Sequence, residues 1–123
     1  MNTPLSKKLL FVSRKAPYGS SMARDALDAL LAASVYDQDL SVLFMGDGVF
    51  QLVKDQAAHR AGMKSLAASL PALPLYDIEK IYVQQSALEQ RGLADAELVI
   101  PATALEDGDI TDLMEQQEAM LSF

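Results

Sequence analysis

The 123-residue chain is half apolar and 22% charged, with a formal charge of −7 at neutral pH and an isoelectric point near 4.5. A chain of this size buries about two-thirds of its unfolded surface around one core, so residues 1–123 are expected to form one domain, and its acidic surface opposes direct binding of nucleic acid. The absence of cysteine excludes disulfides, thiolate metal sites and thiol catalysis, and with His59 the sole histidine no metal or other cofactor is expected.

Apolar runs of only a few residues cannot span a bilayer, and Leu9–Val12, behind Lys7 and Lys8, is too short for a signal-peptide core. A soluble, cytoplasmic protein without membrane contact is the expectation. Leu9-Leu10-Phe11-Val12 is continuously apolar rather than alternating, as in a strand buried on both faces of a parallel sheet. The loop from Arg14 to Gly19 ends this first strand, and Ser20 or Ser21 offers a cap to a helix running to about Val35. Ala23, Ala26, Leu27, Leu30 and Leu31 share one face of that helix, leaving Arg24, Asp25 and Asp28 for water.

Leu40–Met45 repeats the buried-strand pattern and stops at Gly46-Asp47-Gly48, completing a βαβ unit. Phe50 to Leu70 is helical in pattern with a break at Gly62, and Pro71 ends it. After the turn at Tyr76-Asp77, Ile78–Val83 has the β-branched and aromatic content of a third strand. Ser86 and Glu89 have the spacing of a capping box for a short helix ended by Gly92. Leu98-Val99-Ile100 reads as a fourth strand, Asp109 or Thr111 as the cap of a helix through Gln117, and Ala119–Phe123 as a last strand. This alternation predicts an α/β fold: an open, mostly parallel sheet of about five strands with helices on both faces.

Sites in open α/β sheets form beyond the carboxyl ends of strands, which selects the loops at 14–21, 46–48 and 84–86. The loop from Arg14 to Ser21 could hold an anion through cationic side chains and backbone donors, yet it contains neither glycine-rich phosphate motif, and an ordinary capped turn explains it. Asp47 could serve as a base or a metal carboxylate, but more often such an aspartate orders its turn. Ser86 lacks the glycine-flanked elbow of a hydrolase nucleophile, and His59 beside Arg60 reads as a solvated side chain. The carboxylates that crowd between Glu106 and Glu118 read as a solvated helix face. No catalytic constellation emerges.

Taken together, Ala16-Pro17-Tyr18-Gly19, Arg24-Asp25-Ala26-Leu27-Asp28-Ala29-Leu30-Leu31-Ala32, Asp47-Gly48-Val49-Phe50-Gln51-Leu52, Leu75-Tyr76-Asp77-Ile78-Glu79 and Arg91-Gly92-Leu93 resemble the TusC/DsrF branch of the DsrE-like family over nearly the whole chain. The resemblance implies a non-catalytic subunit of a sulfur-relay hetero-oligomer, with TusB/DsrH-like and TusD/DsrE-like partner subunits and a TusE/DsrC-like acceptor protein. It implies service either in 2-thiouridine formation at the tRNA wobble position or in bacterial sulfur oxidation, the former being the more widespread cellular need. The relay cysteine of the family belongs to the TusD/DsrE sibling, at a place matching Val83-Gln84 here; Gln84 hydrogen-bonds but cannot form a persulfide. Val49, Phe50, Leu52, Leu75 and Tyr76 are expected to contribute an apolar association surface, and the isolated chain to associate with itself. The alternative from another class is a small-ligand or nucleotide-binding domain that uses the loop from Arg14 to Ser21.

Overall fold

The computed structural model describes residues 7–15, 22–34, 38–54 and 70–123. Five strands, β1 (Lys7–Ser13), β2 (Gln38–Phe44), β3 (Lys80–Gln84), β4 (Thr103–Leu105) and β5 (Ala119–Ser122), form one sheet in the order β4-β3-β2-β1-β5. Every neighbouring pair is parallel. Among the described residues the helices are α1 (Met22–Ala33), α2 (Gln85–Gln90) and α3 (Asp107–Glu115), with two 3-10 segments at Gly46–Gln51 and Leu70–Tyr76. The expected open α/β sheet with helices on both faces is thus found. No helix among the described residues is long and apolar enough to cross a membrane.

The central strands are apolar without alternation because both of their faces are covered. Phe11, Val42, Phe44, Ile81 and Val83 point to the side where Leu27 and Leu30 of α1 pack, all of them buried. Leu10, Val12 and Leu43 point to the other side and meet Ile110 of α3. Each fully buried leucine contributes roughly 1.5–3 kcal/mol relative to exposure. On α1, Ala26, Leu27 and Leu30 are buried while Asp25 and Asp28 are exposed, as the helical spacing predicts. At the β5 edge, the Phe123 ring stacks on Phe11 with centroids 6.3 Å apart, and Arg14 N–H donates to the Phe123 carbonyl.

Three local expectations are corrected. Leu98-Val99-Ile100 is not a strand of the sheet. Ile100 is buried, but the backbone here bonds to the segment after β2: Val99 N–H donates to Leu52 O at 2.7 Å and Val53 makes an isolated antiparallel bridge with Leu98. β4 forms only beyond Pro101, whose missing N–H cannot join a ladder. The capping box is also absent. Helix α2 begins at Gln85 with Gln84 at its N-cap, so Ser86 lies inside the helix and its hydroxyl donates to Asp107 at 3.0 Å, while Glu89 accepts from Gln85. The α3 cap is Glu106, upstream of both Asp109 and Thr111. The helical pattern at 55–69, His59, Gly62 and the caps at Ser20 or Ser21 lie outside the described residues.

Gly92 does end α2. Its φ of +70° is the left-handed value that closes a helix, with Leu93 N–H donating to Leu88 O and Gly92 N–H to Glu89 O. The second 3-10 segment closes in the same way around Asp77, a non-glycine residue at φ +63°, through Ile78 N–H to Leu73 O and Asp77 N–H to Pro74 O. Leu73 and Ile78 are buried on either side of this turn, and Leu75 and Tyr76 are left at its tip, 84% and 48% exposed. The expected association surface therefore divides. Val49 and Leu52 are fully buried in the protomer core and present nothing to a partner, because the 3-10 segment after β2 turns them inward against the sheet. Phe50 is partly buried, and only Leu75 and Tyr76 stand out as exposed.

Candidate functional site

The carboxyl ends of β1, β2 and β3 lie side by side, and their loops are tied together by polar contacts. Met45 N–H donates to Ser13 O at 3.1 Å, extending the β1–β2 pairing past the end of β2. The chain then turns at Gly46, where φ is +55°, and Gly46 N–H donates to the Gln84 side-chain oxygen at 3.0 Å. The Gln84 amide nitrogen reaches Asp107 Oδ1 at 3.4 Å, the same oxygen that accepts from the Ser86 hydroxyl. Gln84 thus spans from the exit of β2 to the first residue of α3. Its carboxamide suits this role because it offers an acceptor and a donor at once.

A second tie lies deeper. The Gln51 side chain is buried, and its Nε2 donates to Ser13 Oγ at 2.7 Å and to Lys15 O at 2.9 Å. Gly48 lies directly on the Ser13 backbone, leaving no room for a side chain. These contacts fix the start of the loop from Arg14 to Ser21. Arg14 and Lys15 are exposed there, and residues 16–21 lie outside the described residues.

Asp47 has a structural partner. Arg91 donates to its Oδ1 from Nη2 at 2.9 Å and from Nε at 3.1 Å, and also donates from Nη1 to Ala87 O, linking the 46–48 turn to the end of α2. With the Asp47 side chain 60% exposed, such a pair contributes about 1 kcal/mol or less. Among the described residues the Ser86 hydroxyl faces the Asp107 carboxylate and no imidazole. No group of three acidic or histidine side chains among the described residues could hold a metal ion. Beyond the network, Gln85, Ser86, Glu89, Ala104, Glu106, Asp107 and Gly108 line an open polar groove of about 630 Å³.

Sequence reasoning placed Gln84, Asp47 and Ser86 at strand exits, and the structure brings the loops at 46–48 and 84–86 together beside the start of the loop at Arg14 and Lys15. It missed Gln51, Asp107 and Arg91. For Gln51 a signal existed: it is the single polar residue in Val49-Phe50-Gln51-Leu52-Val53, and a lone amide inside a buried run is buried with its partners.

The sequence profile of the DsrE/DsrF-like family matches residues 7–123. The chain belongs to that family. It is 44% identical over 116 residues to the protein TusC homolog of Vibrio parahaemolyticus, covering 94% of this chain and 98% of the relative. The TusC homolog of Pseudomonas aeruginosa is 35% identical, covering 96% and 99%. The intracellular sulfur oxidation protein DsrF of Allochromatium vinosum is 34% identical, covering 95% and 96%. Among solved structures, the crystal structure of the ychN protein from E. coli superposes with a TM-score of 0.79 over 95% of this chain and 99% of that one. At 18% identity this match speaks for the fold alone. The DsrE/DsrF-like sheet thus accommodates glutamine at the tip of β3, where it serves as a bridge between loops.

Proposed function

We propose that this DsrE/DsrF-like chain is a non-catalytic, cytoplasmic subunit of a sulfur-relay assembly that supports 2-thiouridine formation at the tRNA wobble position. Its partners are TusB/DsrH-like and TusD/DsrE-like subunits, with a TusE/DsrC-like acceptor reached through the complex. The observation that carries this reading is Gln84. Passing a sulfane sulfur from one cysteine to the next forms one S–S bond as another breaks and requires a thiolate to attack. At the position that the family resemblance matches to the sibling's relay cysteine this chain has an amide already engaged with Gly46 and Asp107, and there is no cysteine elsewhere in it. Its contribution is then to hold the sibling's reactive loop and the acceptor in a productive arrangement, which lowers the entropic cost of transfer.

Reconstitution with a labelled persulfide donor tests this. Intact mass under nonreducing conditions is expected to show added sulfur on the TusD/DsrE-like subunit and none on this chain, and omission of this chain is expected to abolish relay to the acceptor. Sulfur retained here, or full relay without it, would refute the reading. The sulfur-oxidation branch is the second reading, favoured by the 34% identity to DsrF but less than thiolation is by the 44% identity to a TusC homolog. Loss of 2-thiouridine from tRNA in a deletion strain separates the two.

The Leu75–Tyr76 tip is the proposed association anchor. The turn around Asp77 fixes its backbone, so little ordering entropy opposes docking. The isolated chain is expected to dimerise through this tip, and Leu75→Asp to leave it monomeric, with a thermal midpoint that matches wild type only at dilutions where wild type is itself monomeric. Sedimentation at high micromolar concentration checks this, and a wild-type monomer would rule it out.

A further inference from the structure

All ten lysine and arginine residues lie at or before Arg91, whereas residues 92–123 carry eight carboxylates and no basic side chain. Charge is therefore segregated, and α3 displays it. Ile110 is buried, Leu113 and Met114 pack on the core formed by Leu10, Val12 and Leu43, and Asp109, Asp112 and Glu115 are exposed. The ion pairs of the described residues, Lys54–Glu97, Lys80–Asp39 and Arg91–Asp47, all lie off this helix. Asp109, Asp112 and Glu115 succeed one another at intervals of three, a spacing at which like charges destabilise a helix. The last turn has no basic residue, so Glu115 also opposes the helix dipole. Asp109, in the first turn, complements the helix dipole, but helix stability does not account for Asp112 and Glu115 beyond it.

Beside it runs a groove of about 190 Å³ with an apolar floor. Tyr82, Leu105 and Leu113 are each partly exposed there, and Asp109, Asp112 and Gln116 form the rim. An apolar floor with an acidic rim matches a segment that carries an apolar side chain beside lysine or arginine. A nucleic acid is repelled by this rim. A second copy would bring the same carboxylates against themselves.

We infer that the groove between α3 and the β3–β4 edge docks a basic segment of a partner protein, an apolar side chain seated on Tyr82, Leu105 and Leu113 and its cations against Asp109 and Asp112. This rests on the proposed function, since it supplies a contact of the same assembly, and it lies on elements other than the Leu75–Tyr76 tip.

The test mixes the purified chain with its purified TusB/DsrH-like and TusD/DsrE-like partners at low salt. Asp109→Lys/Asp112→Lys is expected to weaken assembly by about tenfold or more and to flatten its salt dependence, and the neutral pair Asp109→Asn/Asp112→Asn to give a smaller loss. Glu79→Lys/Asp95→Lys makes the same charge change away from the groove and is expected to leave assembly within about twofold of wild type. Zero-length carbodiimide coupling of the wild-type complex is expected to join Asp109 or Asp112 to a lysine of a partner. If the complex forms and the groove variant assembles like wild type, or no more weakly than the control pair, the groove is not the contact, while the proposed function stands. If the groove variant instead dissolves self-association of the isolated chain, the occupant is a second copy and the inference fails. If no complex forms with any chain, the proposed function fails and takes this surface with it.

Discussion

Gly48→Ala is expected to destabilise the protein by on the order of 3 kcal/mol or more, the upper end of what overpacking costs. The reason is space. A Cβ at this position would fall on the carbonyl oxygen of Ser13, and would lie 2.8 Å from the Ser13 carbonyl carbon and 3.2 Å from Arg14 Cα. All of these are backbone atoms, and the Ser13 carbonyl is held by Met45 N–H, so nothing can rotate aside as a flexible side chain could. In a domain this small the thermal midpoint should fall by more than about 10 °C. Gly108→Ala is the control, because a Cβ there meets nothing within 4 Å and the site lies inside α3. Comparable melting of the two variants in a calorimeter would show that the β2 exit yields more easily than its geometry implies.

Gln51→Leu is the second substitution with a large expected effect. Leucine matches the volume of the side chain but leaves the Ser13 hydroxyl and the Lys15 carbonyl without their donor, each at a cost of roughly 1–3 kcal/mol where water cannot replace it. Because Lys15 opens the loop that follows β1, the same substitution should raise amide exchange at Arg14 and Lys15 more than at the centre of β2. Gln51→Glu adds a test of sign. An ionised carboxylate has no proton for Lys15 O, so the buried carboxyl titrates above its unfolded value and the folded state binds the extra proton. Stability supplied by the protonated form is present at low pH and lost as pH rises through the folded-state titration, so Gln51→Glu should lose stability with rising pH relative to wild type. Urea unfolding across pH measures this, and parallel curves for the two proteins would contradict it.

What could be read from the amino-acid order was burial. Leu9–Val12 and Leu40–Met45 announced strands covered on both faces, and the spacing of Ala26, Leu27 and Leu30 announced which side of α1 faces the sheet. Burial does not name a hydrogen-bond partner, however. Leu98-Val99-Ile100 is as apolar as a central strand, yet its backbone bonds to Leu52 and Val53 rather than to β3. β4, by contrast, is an edge strand three residues long, with Thr103 and Ala104 exposed, and leaves little hydrophobic trace. The candidate site divides in the same way. Glycines at 46 and 48 mark the exit of β2 because turns and close contacts select for them, but Gln84 meets Asp107 across 23 positions and Gln51 meets Ser13 across 38. Those separations are set by strand order, which local patterning does not contain. The five-residue apolar surface failed at Val49 and Leu52 for a related reason: composition shows an excess of apolar side chains without showing which of them the 3-10 segment turns inward.

The place of β5 beside β1 also governs how the protein is made. Lys8 N–H donates to a Glu118 side-chain oxygen and Glu118 N–H to the Lys8 carbonyl, a separation of 110 residues. At a synthesis rate of about 5–20 residues per second, β1 is polymerised roughly 5 to 20 s before the strand that completes its pairing. During that interval the β5-facing edge of β1 is open, and an open apolar edge is what chaperones and stray strands bind. Closure then depends on the slowest kind of contact, one between distant parts of the chain. Refolding from denaturant, where the whole chain is present at once, should therefore proceed with less aggregation than synthesis does.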